Sequence, residues 1–314
     1  MLESKDFYTY ACDSIAKSSM VNIVLGVSVQ GEPKQIGCKW QVQTLEGTQS
    51  KQLIADVVID TRPLAPSHQE SPTLWQSFLG QEIMTDGAVF DRTTVSLMDF
   101  DVEGSEEYGG ITFSYVLPIT QTRALIETTV FGTEPLSANM LTRRQGQTVA
   151  RLCQGANYDI GRVESGILPM GLPSTNKRHV APGYVRVGLM SGAVRPATGY
   201  AFQRIQRWAD RCATSLRQGN GPCGHAPDPF LTRFMDKLFL QVLRAHPQQA
   251  PDIFVNLFGR ANTASVIRFL SDQATLKDRV SIISALPFGL FLRELATREH
   301  PPKISMLTKI TNNH

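Results

Sequence analysis

Two stretches of this sequence combine residue types that could do chemistry. In Ala124-Leu125-Ile126-Glu127-Thr128-Thr129 a single carboxyl interrupts an apolar strand pattern. A strand glutamate is ordinarily a solvated or ion-paired acid, whereas one enclosed in an apolar cavity loses its preference for the charged form and becomes a proton donor. The residue type alone leaves both readings open. In residues 188–200, Gly188, Ser191, Gly192, Ala193, Pro196, Thr198, Gly199 and Tyr200 lie between a strand pattern and a helix pattern. Glycines there permit close backbone approach, and helix-start N–H groups favour anionic oxygens, although an ordinary strand-to-helix turn has the same composition. A third pattern, Gly219-Asn220-Gly221-Pro222-Cys223-Gly224, has dinucleotide-fingerprint spacing. It follows a helix, contains Pro222 and lacks an acid about 20 residues later, so it reads as a helix C-cap and linker.

Composition removes several classes. With 314 residues, 42% hydrophobic and 19% charged, the chain can bury a sizeable core as one large domain or two ordinary ones. The 31 Lys+Arg against 28 Asp+Glu are dispersed, not gathered in blocks, so no nucleic-acid partner is expected. Cys12, Cys38, Cys153, Cys212 and Cys223 are widely spaced and fit no metal site, and are expected to be reduced and mostly in the core. Residues 1–20 hold Glu3, Lys5, Asp6, Asp13 and Lys17, unlike a signal peptide, which points to a cytoplasmic protein. Arg268, Lys277, Asp278, Arg293 and Glu294 interrupt the apolar C-terminal third, so no membrane-spanning helix is expected.

The elements that must position these residues follow from periodicity. After an amphipathic opening (Phe7, Tyr8, Ala11, Ile15), alternation predicts paired strands at 21–25 and 36–42 with a turn at Gly31-Glu32-Pro33, then a buried strand over 53–59 ending at Asp60. Strands over 88–100, 111–119 and 124–131 predict an antiparallel sheet, followed by a helix over 137–152, a glycine- and proline-rich stretch at 161–183 and a strand at 184–189. Phe202, Ile205, Trp208, Ala209, Cys212 and Leu216 share one face of a helix over 200–216. Asp228-Pro229 supplies an N-cap and N1 proline for a helix buried through Phe230, Phe234, Leu238, Val242 and Leu243. Helical segments at 254–258, 266–270 and 282–295 follow, the last broken at Pro287. The order predicts an α/β fold with an α+β portion.

Phe113-Ser114-Tyr115-Val116-Leu117-Pro118-Ile119, running into the Glu127 strand, resembles the lycopene cyclase family. The same family's landmarks recur in order. They are Asp60-Thr61-Arg62-Pro63, Trp75-Gln76-Ser77-Phe78-Leu79-Gly80-Gln81-Glu82, Ser96-Leu97-Met98-Asp99-Phe100, Ile167-Leu168-Pro169-Met170-Gly171, Arg186 through Tyr200, and Ala285-Leu286-Pro287-Phe288. The resemblance covers roughly residues 20–295.

It implies an incomplete FAD-binding, Rossmann-like domain of the flavoprotein monooxygenase type, because the family's opening strand, glycine-rich turn and helix have no counterpart in this sequence. The implied layout is residues 1–62 as the remainder of the FAD-binding domain, 63–160 as an antiparallel-sheet substrate and catalytic domain, 161–220 as a return to the FAD-binding domain, 221–300 as a helical region contacting substrate or membrane, and 301–314 as a tail. The implied activity is a non-redox cyclisation of a lycopene-like polyene, an intramolecular lyase or isomerase reaction in carotenoid biosynthesis. Glu127 would be the acid, reduced FAD in the 188–200 loop would face the cation, NAD(P)H would keep the flavin reduced, and Phe113, Tyr115, Trp75 and Phe78 would line the substrate cavity. Lipid-soluble substrate implies peripheral membrane association. Where members often carry adjacent acids, this chain has Glu127-Thr128, so desolvation must set the pKa of Glu127. The alternatives are an inactive or split fragment, a carotenoid-binding protein without activity, or an FAD-dependent oxidoreductase of the hydroxylase or polyprenyl reductase type, against which Leu125-Ile126-Glu127 speaks.

Overall fold

The computed structural model describes residues 4–63, 71–100, 110–172 and 180–297, so the expected tail at 301–314 lies outside the described residues. The chain divides into two compact units. One comprises Met1–Asp60, His179–Arg186 and Arg211–Cys223, the other Thr61–Arg178, Val187–Asp210 and Gly224–His314.

In the first unit the amphipathic opening forms α1 (Ser4–Ala16), and β1 (Val27–Ile36), β2 (Lys39–Glu46) and β3 (Gln49–Ala55) form an antiparallel meander. Three expectations are corrected here. Residues 21–25 form no strand and lie ahead of β1. Gly31-Glu32-Pro33 does not reverse the chain but lies within β1 at a register shift between Gln30 and Lys34, a place that tolerates proline's missing donor, and the reversal comes at Gly37, with φ of 61°. The apolar run at 53–59 is not one buried strand. It breaks after Ala55, and Leu53 and Ile54, which point to opposite faces of β3, are 55% and 56% exposed, so neither face is covered there among the described residues. Only β4 (Val58–Asp60) enters a second sheet, pairing in parallel with β11 (Tyr184–Arg186), which pairs antiparallel with β10 (Val180–Ala181). There the buried Asp60 carboxylate accepts from Arg186 at 2.8 Å, and Trp40 packs on Tyr184 at 4.9 Å while its Nε1 donates to the Pro182 carbonyl.

The second unit is built on a five-stranded antiparallel sheet of β5 (Leu74–Thr85), β6 (Ser96–Asp99), β7 (Ile111–Pro118), β8 (Arg123–Gly132) and β9 (Tyr158–Met170), in the order β6-β7-β8-β5-β9. Because strand residues alternate between faces, Leu79, Ile83, Val116, Ala124, Ile126 and Val130 lie on one side, where they cluster with Leu141, Val149 and Cys153 of α2 (Ala138–Cys153). Leu74, Ile111, Phe113, Phe131 and Met170 lie on the other. They form the main core with Leu238, Leu243, Ile253, Phe254 and Phe291 from α4 (Phe230–Ala245), α5 (Ala250–Arg260) and α8 (Phe288–Thr297). At about 1.5–3 kcal/mol for each buried large side chain, this core fixes the helices over one end of the sheet. Helices α6 (Thr263–Leu270) and α7 (Leu276–Ala285) complete the helical part.

Helix α3 (Phe202–Arg217) is followed by Gly219, whose N–H donates to the Leu216 carbonyl at φ of 76°, so the Gly219 motif ends a helix. Asp228 does not cap α4. The cap position is Pro229, without a side-chain bond, and Asp228 instead ion-pairs with Arg204 of α3. Phe230 and Phe234, expected in the core, are exposed, and the buried stripe of α4 begins at Leu238. Cys153 and Cys212 are buried, whereas Cys12 on α1 and Cys38 at the β1–β2 reversal are exposed. Among the described residues no helix is long and apolar enough to cross a membrane, and no group of three or more His, Cys, Asp or Glu could hold a metal ion.

Candidate functional site

Strand register assembles one row across the sheet, with Tyr115 of β7 opposite Glu127 of β8, Glu127 opposite Gly80 of β5, and Gly80 opposite Glu164 of β9. Directly paired residues share a face, so Tyr115, Glu127 and Glu164 project to the side that the helices cover further along. The next row holds Phe113, Thr129, Phe78 and Gly166. Both glycines leave room that a side chain uses. A Cβ at Gly166 would fall 2.7 Å from the Phe78 ring, and one at Gly80 would lie 3.2 Å from Glu164 Cγ and 3.6 Å from Glu127 Cβ. Three of the four expected cavity residues, Phe113, Tyr115 and Phe78, therefore share the Glu127 face. Trp75 is corrected. It lies an odd number of residues from Phe78 along an unbroken strand, and so on the opposite face.

Glu127 is half-buried, and no cation lies within ion-pair distance of it among the described residues. The other landmark acids are paired: Asp60 with Arg186, Glu82 with Arg123 at 2.7 Å and Asp99 with Arg151 at 2.7 Å. Thr129 Oγ1 donates to Glu127 Oε1 at 2.8 Å, which favours the carboxylate. Desolvation outweighs it and, with a smaller push from the Glu164 carboxylate, holds the Glu127 carboxyl above its ordinary range. Burial first, then Tyr200 and Glu127, raise the Tyr115 phenol. Tyr200 is raised the same way by desolvation and then Glu127, although more than half its surface is open. Thr128 takes no part. It is fully buried on the other face, its N–H donating to Gln145 Oε1 at 3.0 Å and its hydroxyl bonded to Thr148 at 3.2 Å. An acid at 128 would thus be on the wrong side of the sheet to act on Glu127.

The loop at 188–200 is held by local backbone hydrogen bonds. The Gly188 carbonyl accepts from Ser191 N–H and Ala193 N–H, and the Arg195 carbonyl accepts from Thr198 N–H and Gly199 N–H. At Gly188, φ of 105° and the Thr61 carbonyl 3.1 Å from any Cβ make glycine a requirement. The loop is anchored by Arg195, which is 1% exposed, donates to both oxygens of Asp236 on α4 at 2.9 and 3.1 Å, and stacks over Phe269 at 4.2 Å. Tyr200, at its end, is the loop residue that interacts electrostatically with Glu127.

The expected cofactor residues do not all face one space. Gly192 and Pro196, with Thr61, Leu168 and Asp228, line a cavity of about 270 Å³. Ser191 Oγ is buried with no partner among the described residues, and so is Gln76 Oε1, which lies 3.1 Å from any Cβ at Gly199. Ala193 is wholly buried, and Gly188 donates its N–H to His225. Thr198 instead lines a second cavity, of about 250 Å³ and almost entirely apolar, among α4, α5, α7 and α8, with Phe234, Phe239, Phe254, Phe288 and Leu292. Aromatic contacts run from Tyr115 through Phe113 and Phe100 to Phe254 and Phe239 at that cavity, each step between 5.4 and 5.8 Å. Ser191 adjoins Gly192 in the chain and Gln76 pairs in register with Leu168, both of these in the wall of the cavity of about 270 Å³, and buried polar atoms without partners there suit a hydrogen-bonding group such as a flavin ring.

Sequence reasoning missed Gly80, Gln76, Glu164 and Arg195 as site residues. The isolated glycines in β5 and β9 were the available signal, since a glycine inside a strand marks close approach of another group.

The chain matches the lycopene cyclase protein family over residues 31–295. A lycopene beta-cyclase from Paracoccus sp. is 29% identical over 270 residues, a match covering 78% of this chain and 65% of that protein, so the chain spans just under two thirds of this relative's length. Among solved structures, the chain is similar to p-nitrophenol 4-monooxygenase from Pseudomonas putida, with a TM-score of 0.49, 13% identity and coverage of 95% of this chain and 73% of that one. It is also similar to a geranylgeranyl bacteriochlorophyll reductase-like protein from Thermoplasma acidophilum, with a TM-score of 0.48, 10% identity and coverage of 86% and 69%.

Proposed function

We propose a reaction for this chain on one premise: it belongs to the lycopene cyclase family. The reaction is closure of a ring on the end group of a linear carotenoid such as lycopene. The Glu127 carboxyl gives its proton to one carbon of a terminal double bond, a neighbouring double bond attacks the cation so formed and closes the ring, and the Glu127 carboxylate takes a proton back from the ring. Substrate and product are isomers, and no electrons are transferred. The observation that supports this most directly is a half-buried glutamate without a cationic partner among the described residues, its carboxyl pushed up by burial, on a face it shares with Tyr115, Phe113 and Phe78.

The ring faces of Tyr115 and Phe113 would stabilise a cation in this space, and such contacts gain strength where water is excluded. Gly192, Pro196 and the Ser191 hydroxyl would hold FAD's ring system, with Gln76 adjoining. When bound and reduced, the flavin supplies negative charge opposite the developing cation, and NAD(P)H serves only to keep it reduced. The apolar cavity among the C-terminal helices would take part of the polyene. Its lining residues Phe288 and Leu292 are 61% and 47% exposed, so it opens on a surface suited to drawing substrate from lipid and to peripheral membrane contact.

The test is expression in a lycopene-accumulating host with pigment analysis. Wild type should yield ring-bearing carotenoid, and Glu127→Gln should lower the yield by about 10²–10⁴-fold at equal protein level. Cyclisation by Glu127→Gln at the wild-type level would exclude Glu127 as the acid, and unchanged lycopene with wild type would favour a carotenoid-binding role.

A further inference from the structure

We propose that Glu164 is a positioning residue for this reaction, a second carboxylate that acts across Gly80 to keep the proton on Glu127. The proposal rests on the reading of Glu127 as the acid. Its basis is geometric. Glu127 and Glu164 sit on the two strands flanking β5, each paired in register with Gly80, and both side chains come within 4 Å of the point where a Cβ on residue 80 would lie. Any other residue type at 80 would place a side chain between the two carboxyls.

The Glu164 carboxyl is divided in its contacts. Oε2 accepts from Arg162 at 2.8 Å on the sheet's edge strand, while Oε1 is turned toward Gly80 at 3.6 Å from that same point. The Glu164 carboxylate pairs with Arg162 at the edge strand, and a negative charge there raises the cost of a second one on Glu127 further in. Like-charge pairs of this kind titrate apart, the inner group retaining its proton to higher pH. The other charged or titratable groups around Glu127 do not supply this push. Glu82 is neutralised by Arg123 on the same face, and Tyr115 and Tyr200 are neutral phenols held above their ordinary values. Thr128 faces α2. A carboxylate at 128 would lie on the far face of the sheet, whereas Glu164 of β9 shares the face of Glu127 across a glycine.

The consequence is a pH dependence of definite sign. Activity requires the acid form of Glu127 and falls as pH rises through its pKa, so removing the Glu164 charge should move the alkaline limb to lower pH. For the purified protein with reduced flavin and lycopene, Glu164→Gln should shift that limb down by about one unit. It should lose about tenfold in rate on the alkaline side and least at the acid plateau. Glu164→Asp should restore much of the shift. A second readout needs no turnover. The infrared band of the protonated Glu127 carboxyl, identified by its loss in Glu127→Gln, should disappear at correspondingly lower pH in Glu164→Gln. A folded Glu164→Gln with both limb and band unmoved would overturn the proposal. If that variant does not fold, Gly80→Ala, whose Cβ would press on Glu164 Cγ at 3.2 Å, should shift the band in the same direction, and an unmoved band would overturn the proposal as well. Retained activity in Glu127→Gln would defeat the acid assignment alone, because the band still reports whether the two carboxyls interact.

Discussion

Glu127 carries opposing influences that can be separated. The Thr129 hydroxyl donates to its carboxylate and favours the charged form, whereas burial disfavours it and prevails. Thr129→Val removes the donor at nearly constant volume, so Glu127 should hold its proton to higher pH and the alkaline limb of activity should move up, opposite in sign to Glu164→Gln. A pH–rate profile checks this, and a downward or absent shift would show that the bond does not bear on the reacting proton. Glu127 was legible in the sequence as a candidate because a single carboxyl broke an apolar strand pattern. Glu164 was not, because it falls in the glycine- and proline-rich stretch at 161–183, and only strand pairing brings residues 37 positions apart into one row.

At the scale of elements, legibility followed periodicity. Strands β7 and β8 and helix α2 had strong patterns and appear where expected, with Ser137 capping α2 as a Ser at that position should. Strands β5 and β9 did not. Their glycines and polar residues lack β-propensity and are accommodated because the sheet needs space for Phe78 and for two carboxyls. The apolar run at 53–59 misled in the other direction, since apolar residues also occupy exposed edge strands. The element that positions the loop is α4, through the buried Arg195–Asp236 pair. Asp236→Asn leaves the buried guanidinium with only the more distant Asp272, at 3.7 Å, as counter-charge, which should cost about 3 kcal/mol in chemical unfolding and also reduce flavin affinity through loosening of residues 188–200. A loss below about 1 kcal/mol would show that the backbone bonds alone hold the loop.

At the scale of the molecule, the second unit holds Glu127 on its sheet, a mainly apolar cavity with Thr61 and Asp228 in its wall, and an apolar cavity among its helices. The apolar cavity opens at Phe288 and Leu292, and Phe230, Leu276 and Val280 are also exposed. Replacing Phe288 and Leu292 with Ser should lower co-sedimentation with lipid vesicles and raise the apparent KM for carotenoid delivered in those vesicles, while kcat is largely kept. Equal vesicle binding by wild type and variant would place the lipid contact elsewhere.

In the proposed reaction the protein gives the substrate a proton from Glu127 and no electron pair. Single turnover with lycopene in D2O, followed by mass analysis of the ring-bearing product, tests this most directly. The product should be isomeric with substrate in H2O, should carry one deuterium per closed ring in D2O, and should not form with Glu127→Gln. A product that has gained or lost a pair of hydrogens in H2O, or one that closes its ring in D2O without deuterium, would contradict it.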